Sequence, residues 1–448
     1  MDNKALSRRE FLRAGAVAAG GAAFVGTLPQ AFAAPPTQDG ETIQFWVFWS
    51  NYDTPAAEFN SALNEFVAPN TVEITTGVSS AEAFLTAVAA GAPPDIGTGA
   101  RYSQYMSNGQ VLPIEEYVAA SDAISEENFA GEAWETTFWD GVQYGVSSIE
   151  AFVRRGLNYN AQMVEEAGLD PDNPPQTWED LLVWHEALTK FDDAGNLLQI
   201  GLDPYDAIGG QFANAQDGSF AAESFGVQWF NPETREFNLE GMAESYETMG
   251  EFVKIIGPDN LAGFRGAEGQ GTWGASYNAG VQAMIIEGYW HPGETNTQQP
   301  DIVQYNRATW VPVPKSREGT KLQVAGGHMV FFWKDAVLGP DVTWPVAEFL
   351  LTPAHNDVVF NINGWLPAFL PYLETADPEK FPGLKFYFDS LTEANEWWKL
   401  DKMEILPFVA EQNSTLRERV FRGEMTGAEA AAEIQAAVEQ EYIDAGFA

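Results

Sequence analysis

Apolar residues fall along the chain in two periods, separated by short polar breaks. IQFWVFW is a continuous apolar run of strand length, and SNYDT after it carries turn chemistry. Phe59, Leu63 and Phe66 then recur at helical spacing, which predicts a helix with one buried face. VEITTGV predicts a second strand, AEAFLTAVAAG a helix stopped at Gly91, and PPDIGTG a third strand entered from a proline turn. Strand, helix, strand, helix, strand is the grammar of an α/β domain with a largely parallel sheet.

A second such region follows. WDGVQYGVSSIEAFVRRGLNYN alternates and is rich in Val, Tyr and Phe, which predicts one or two long strands. In PQTWEDLLVWHEALTKF, Thr177 and Asp180 sit three apart before an apolar run, a capping-box start, and Leu181, Trp184, Leu188 and Phe191 form the buried stripe. Residues 200–280 mix helix with loops rich in Gly and Asn. AGVQAMIIEGYW, ATWVPVP and VAGGHMVFFW read as strands and WPVAEFLL as a buried helix. The last helix, TGAEAAAEIQAAVEQEYI, opens on a capping box of Thr426 and Glu429 and buries Ile434, Val438 and Tyr442.

Length changes the picture first: 448 residues exceed what one ordinary core needs and imply two domains. Charge changes it next. Lys and Arg number 23 against 64 Asp and Glu, a net charge of −41. Such a surface repels nucleic acid and anionic lipid, whose phosphates need clustered Lys and Arg. The absence of cysteine removes disulfides, thiolate nucleophiles and Cys-ligated metals. Residues 1–33 have a basic start, a short Gly/Ala-rich middle and a small-x-small end at Ala31 and Ala33. Arg8-Arg9 with Phe11-Leu12 resembles the twin-arginine export signal, an address and not an anchor. Residues 34–40 then form a polar linker. The expected product is a soluble exported protein, periplasmic or extracellular.

Catalytic signatures are scarce. His185-Glu186 opens a zinc-protease-like motif, but Thr189 stands where its second ligand would be. Gly269 to Gly274 fits G-x-G-x-x-G without the strand and helix that a dinucleotide site requires. No metal or cofactor is expected, and no catalytic residue. Aromatics instead recur at the ends of predicted strands beside Gly, Asn or acids: Trp49, Tyr102, Tyr105, Tyr289, Trp290 and Trp365. Ligands of open α/β sheets sit beyond the carboxyl ends of strands. Flat rings stack on the apolar faces of a pyranose while carboxylates and amides take its hydroxyls. In AMIIEGYW, Met284, Ile285 and Ile286 read as core, Gly288 as the residue that allows a close turn, and Trp290 as lying under the ligand. Tyr289 stays open between core and site.

The order of IQFWVFW, FLTAVAAGAPPDIG, LPIEEYV, DGVQYGVSSIEAFVRRGLNYN, PPQTWEDLL, AGVQAMIIEGYW, TWVPVP, VAGGH, AEFLL, NGWLPA and RGEMTGAEAAAE resembles the extracellular solute-binding proteins of carbohydrate ABC importers, the group that contains the maltose-binding protein. The resemblance implies a type II periplasmic-binding-protein fold. Each lobe is a mostly parallel sheet flanked by helices, with the ligand between them. One lobe would take residues 41–148 plus 303–357, the other 149–302 plus 358–448. It further implies a monomer that captures a carbohydrate and delivers it to a membrane ABC permease. Glu150 and Trp290 carry over from the family's sugar-contacting positions. Trp49, Asn51, Arg101 and Tyr102 lie where first-lobe loops reach the ligand, and Tyr52, Trp273, Glu287, Tyr289, His328 and Trp365 complete the candidate ligand-binding set. The stretch from Glu150 to Asn160 is longer than in the maltose binder, and the lipid-anchoring cysteine of many relatives is absent. The rival readings are a binder of polyamines or another organic cation, a secreted glycosidase with its roughly 5–5.5 or 6.5–9.5 Å carboxylate pair, and a metal or siderophore binder, which four scattered histidines disfavour.

Overall fold

The computed structural model describes residues 40–78, 81–99, 102–130, 133–205, 220–267, 275–326, 328–398 and 402–447. The expected leader, 1–33, lies outside the described residues, as does the linker up to Gly40.

Two five-stranded sheets organise two lobes. The first runs Thr71–Thr75, Thr42–Trp46, Ile96–Gly99, Met329–Phe332, Gly145–Val146. Its first three strands are parallel and are joined by the helices Asp53–Phe66 and Ala81–Ala89, as the alternating pattern requires. Ile43, Phe45 and Val47 are fully buried against Phe59 and Leu63. Phe66, expected in the same stripe, is 47% exposed: it ends the helix and sets one face edge-on against Phe349. The second sheet runs Asn306–Thr309, Gly156–Asn160, Gln282–Glu287, Leu197–Leu202, Lys190–Phe191.

Both sheets are mixed, where the expectation was mostly parallel. Met329–Phe332 lies antiparallel to Ile96–Gly99 and to Gly145–Val146, and Gly156–Asn160 antiparallel to both of its neighbours. A parallel pair needs a crossover within its own lobe. These strands instead enter from the other lobe and meet the sheet from the opposite end. The long strands expected over 139–160 are four short ones, Phe138–Trp139, Val142–Gln143, Gly145–Val146 and Gly156–Asn160, because the chain leaves the first lobe after Val146. The strand in VAGGHMVFFW splits likewise. Leu322–Val324 pairs with Glu396–Trp398, Gly326 turns at φ 96°, and Met329 restarts in the first sheet. The helix over 178–188 starts on Thr177, whose hydroxyl accepts from Asp180 N. It ends at Leu188, so Phe191 falls on an edge strand and is 40% exposed instead of extending the stripe. The full capping box of Thr426 and Glu429 forms as expected.

Two contacts bear on where the lobes divide. Asn306–Thr309 pairs with Leu157–Asn160 in the second sheet, so residues from 303 belong there until the chain re-enters the first core near Ala325. Position 357 falls inside the helix Pro353–Asn363, which keeps His355, Val359 and Phe360 on the first-lobe helix Asp53–Phe66. The chain therefore crosses between lobes over 147–155, 310–328 and 364–383. These crossings are laced together by Arg154 N–H to Val324 O (2.8 Å), Ala151 N–H to Leu366 O (3.0 Å) and Gly326 N–H to Ala151 O (3.2 Å).

Candidate functional site

The crossings bring strand ends from both lobes to one place. Trp49 follows the first strand, His328 precedes Met329, Trp290 follows Gln282–Glu287, and Trp365 follows the left-handed Gly364 that ends a helix. Trp49, Trp290 and Trp365 belong to one contiguous buried cluster that also holds Tyr52 and Tyr289. Trp49 lies 5.2 Å from Trp365 and edge-on to His328 at 4.4 Å, ring centre to ring centre.

Charge is concentrated among these rings. Glu150 lies in the first crossing with φ 48°, a left-handed conformation that costs a non-glycine residue about 1–2 kcal/mol. The conformation turns its carboxylate inward: Oε2 is 3.2 Å from His328 Nε2, and Oε1 is 4.0 Å from Arg154 Nη1. Burial and the Arg154 charge push His328 well below the usual imidazole range, so the ring is neutral. The Arg154 guanidinium lies 4.9 Å over the Trp290 ring. Glu287 pairs with His291 Nδ1 at 2.8 Å. Glu294, one helical turn after Trp290, takes the indole N–H of Trp365 on Oε1 at 3.3 Å. Burial, then Glu287 and Glu150, hold its carboxyl well above the usual range.

Two glycines make this approach possible. A Cβ on Gly288 would stand 2.2–2.7 Å from the six-membered ring of Trp290, so the requirement there is space for the indole and not an unusual turn. A Cβ on Gly293 would stand 2.4 Å from the Cα of Gly364; that backbone contact sets Trp365 against Glu294.

The candidates divide. Trp49, Glu150, Glu287, Trp290, His328 and Trp365 converge at the junction. Tyr52 underlies Trp365 in a parallel stack at 6.2 Å, but its hydroxyl is spent. His355 Nδ1 donates to Leu350 O, so Nε2 is the acceptor and Tyr52 donates to it at 2.7 Å. Tyr289 is a clamp: its hydroxyl donates to Leu366 O (2.9 Å) and accepts from Leu366 N (3.1 Å). Asn51 is exposed, and its backbone carbonyl accepts from Asn363 Nδ2. Tyr102 begins the helix Tyr102–Ser107. Arg101, Trp273 and the Gly269–Gly274 motif lie outside the described residues. His185 is a satisfied core histidine, accepting from Leu202 N on Nδ1 and donating to Phe252 O from Nε2. Arg154 and Glu294 were not expected. Glu294 could have been found from its i, i+4 spacing to Trp290; Arg154 bears the same spacing to Glu150, but on non-helical chain, where spacing says nothing.

The model of the family described as bacterial extracellular solute-binding protein matches residues 49–356, more than half of the chain. The chain belongs to this family. None of the curated proteins matches it. Among solved structures, this solute-binding protein is similar to CpMnBP1 with mannotriose bound, at TM-score 0.73 and 17% identity over 88% of this chain and 99% of that one. It is also similar to the ABC substrate-binding protein Lmo0181 from Listeria monocytogenes in complex with cycloalternan, at TM-score 0.72 and 18% identity over 92% and 100%. The sugar-binding protein MalE from Xanthomonas citri gives 0.67 and 19% over 90% and 98%. Identities this low carry the fold: two α/β lobes of the type II periplasmic-binding-protein kind. Among the described residues no helix is long and apolar enough to cross a membrane.

Proposed function

We propose that this solute-binding protein captures a sugar or oligosaccharide between its lobes, leaves it chemically intact, and hands it to a membrane ABC permease. One observation carries the reading. Three tryptophans from three separate parts of the chain meet at the lobe junction beside Glu150, Glu287, Glu294 and Arg154. Rings and charge-assisted acceptors in one enclosed place are the chemistry that recognises a polyol. The structures it resembles include ones holding mannotriose and cycloalternan, which supports the same class.

The crossings act as the hinge. A solute touching both lobes favours the closed form through contacts that the open form lacks. Micromolar affinity needs about −8.2 kcal/mol. Two or three rings at about 0.5–1.5 kcal/mol beyond their area term and several hydrogen bonds at about 0.5–1.5 kcal/mol net reach that range. Residues 1–33 would direct export by the twin-arginine route before the leader is removed. A thermal-shift screen against mono- and oligosaccharides, followed by calorimetry, tests the reading. A sugar that raises the melting temperature, binds at 1:1 and is recovered unchanged supports it; no response to any sugar sinks it.

A further inference from the structure

Glu294 sets a puzzle that neutral sugar capture leaves open. Its residue is 6% exposed, Oε1 takes the Trp365 N–H, and Oε2 has no hydrogen-bond partner among the described residues. Charged and titratable groups act on it from several elements, the buried Tyr289 phenol among them. Glu287 ends the preceding strand, with His291 held on it at 2.8 Å. Glu150 comes from the first crossing, with Arg154 and the neutral His328 drawn to it. Arg154 is the guanidinium in this group, and it serves Glu150 while lying on the Trp290 ring. Glu287 and Glu150 both raise the cost of ionising Glu294, and neither ion pair described for them reaches its open oxygen. Trp290, one turn before Glu294, adds an indole N–H that is buried and without a partner among the described residues. A buried carboxyl with an open oxygen is destabilising unless something from outside completes it.

We propose that the captured solute carries a protonated amine, as an amino sugar or amine-bearing oligosaccharide does, and that this ammonium seats on Glu294 between Trp290 and Trp365. The inference rests on the sugar-capture reading and narrows it. A hydroxyl would give Oε2 one hydrogen bond and no charge to favour ionisation of the carboxyl beside Glu287 and Glu150. An ammonium supplies the bond and the charge, and neighbouring indoles favour a cation through their ring quadrupoles. In the solute-free protein the raised pKa keeps Glu294 protonated well above the usual carboxyl range. An arriving ammonium favours the ionised form, so the carboxyl proton leaves to solvent and binding strengthens as pH rises toward the free-state pKa.

The test pairs solutes that differ at one position: chitosan oligomers of two to four units against cello-oligosaccharides of the same length, with glucosamine, galactosamine and mannosamine against their hydroxy counterparts. Calorimetry on the wild-type protein should show the amine member binding roughly 10- to 100-fold tighter, the equivalent of a charge-assisted hydrogen bond. Buffers of different ionisation enthalpy should show proton release. Glu294→Gln, nearly isosteric, should abolish the amine preference and the proton release, leaving the amine and hydroxy members of each pair to bind alike. Its folding is checked by circular dichroism, and the wild-type preference and proton count stand without it. Neutral members binding as tightly as amines, or amine binding without proton release, overturns the inference and leaves sugar capture standing. Failure of both members of every pair takes the sugar reading down as well.

Discussion

Replacing Gly288 by alanine asks whether the Trp290 indole belongs to the binding face or only to the core. The new Cβ would lie 2.2, 2.5 and 2.7 Å from Cζ3, Cη2 and Cε3 of Trp290, where ordinary contact begins at 3.4 Å. The ring must retreat by roughly 1 Å, and these atoms belong to a rigid bicycle with no flexible end to swing aside. Its neighbours oppose the retreat: Tyr289 stands edge-on at 5.6 Å, and the Arg154 guanidinium lies 4.9 Å from the ring centre. Overpacking of this kind costs about 1–3 kcal/mol of stability. A ring and N–H displaced by that distance should also lose about tenfold or more in solute affinity, since about 1.4 kcal/mol suffices for a factor of ten. Urea unfolding and calorimetry on one preparation, with the tightest solute from the screen, measure both. A lower unfolding midpoint with unchanged affinity would make Trp290 a packing residue and remove it from the site. No change in either quantity would refute the close approach itself.

Three further outcomes are expected. Tyr289→Phe removes both hydrogen bonds to Leu366 and strands its buried N–H, so stability should drop by about 1–3 kcal/mol in chemical denaturation, and an unchanged midpoint would refute the clamp. Gly263→Ala adds a methyl to an exposed helix position with nothing within 4 Å, and should raise the unfolding free energy by about 0.5–1 kcal/mol; a loss would show that the helix Pro258–Ala267 does not form. His185 and His355 are both pushed down by burial to about 4, against 6.5 in an open chain. The unfolded chain then binds more protons between those values, so stability is full above pH 6.5 and falls toward pH 4, by up to about 3 kcal/mol per histidine. Imidazole NMR signals that titrate near 6.5 in the folded protein would contradict this.

Much of the first lobe could be read from residue order, because its strands and helices satisfy their own hydrogen bonds and bury faces of fixed period. Ile43 and Phe45 alternate with half-buried Gln44 and Trp46, and Phe59 and Leu63 meet them from one helix face. The Thr426 and Glu429 cap is equally local. The misreadings cluster where the chain changes lobes. VRRGLNYN and VAGGHMVFFW look like uninterrupted strands because apolar period reports burial, and both crossings are buried. Nothing in the period says that Leu322–Val324 and Met329–Phe332 serve different partners. The helix Pro353–Asn363 shows the same limit: its apolar face specifies that something covers it, not which lobe does.

The aromatic half of the junction was visible for a physical reason that its polar half lacks. Trp49, Trp290 and Trp365 sit next to the residues that end a strand or helix, and large rings at such places are conspicuous against Gly, Asn and Ser. Glu150, Glu287 and Glu294 are three carboxyl groups among 64 acidic residues, and nothing local marks them out. What separates them is the set of elements the fold brings around them, which residue order does not record. Glu150 marks the point best. Its carboxylate reaches His328 only because the backbone there adopts φ 48°, a conformation no propensity would assign to glutamate. Strain of this sort persists where surrounding contacts over-determine it, and here they are the bonds that tie Ala151 to Leu366 and Arg154 to Val324. The bonds that tie the crossings together thus hold the carboxylate on His328, so a change that loosens the crossings should weaken solute capture even where it touches no ring.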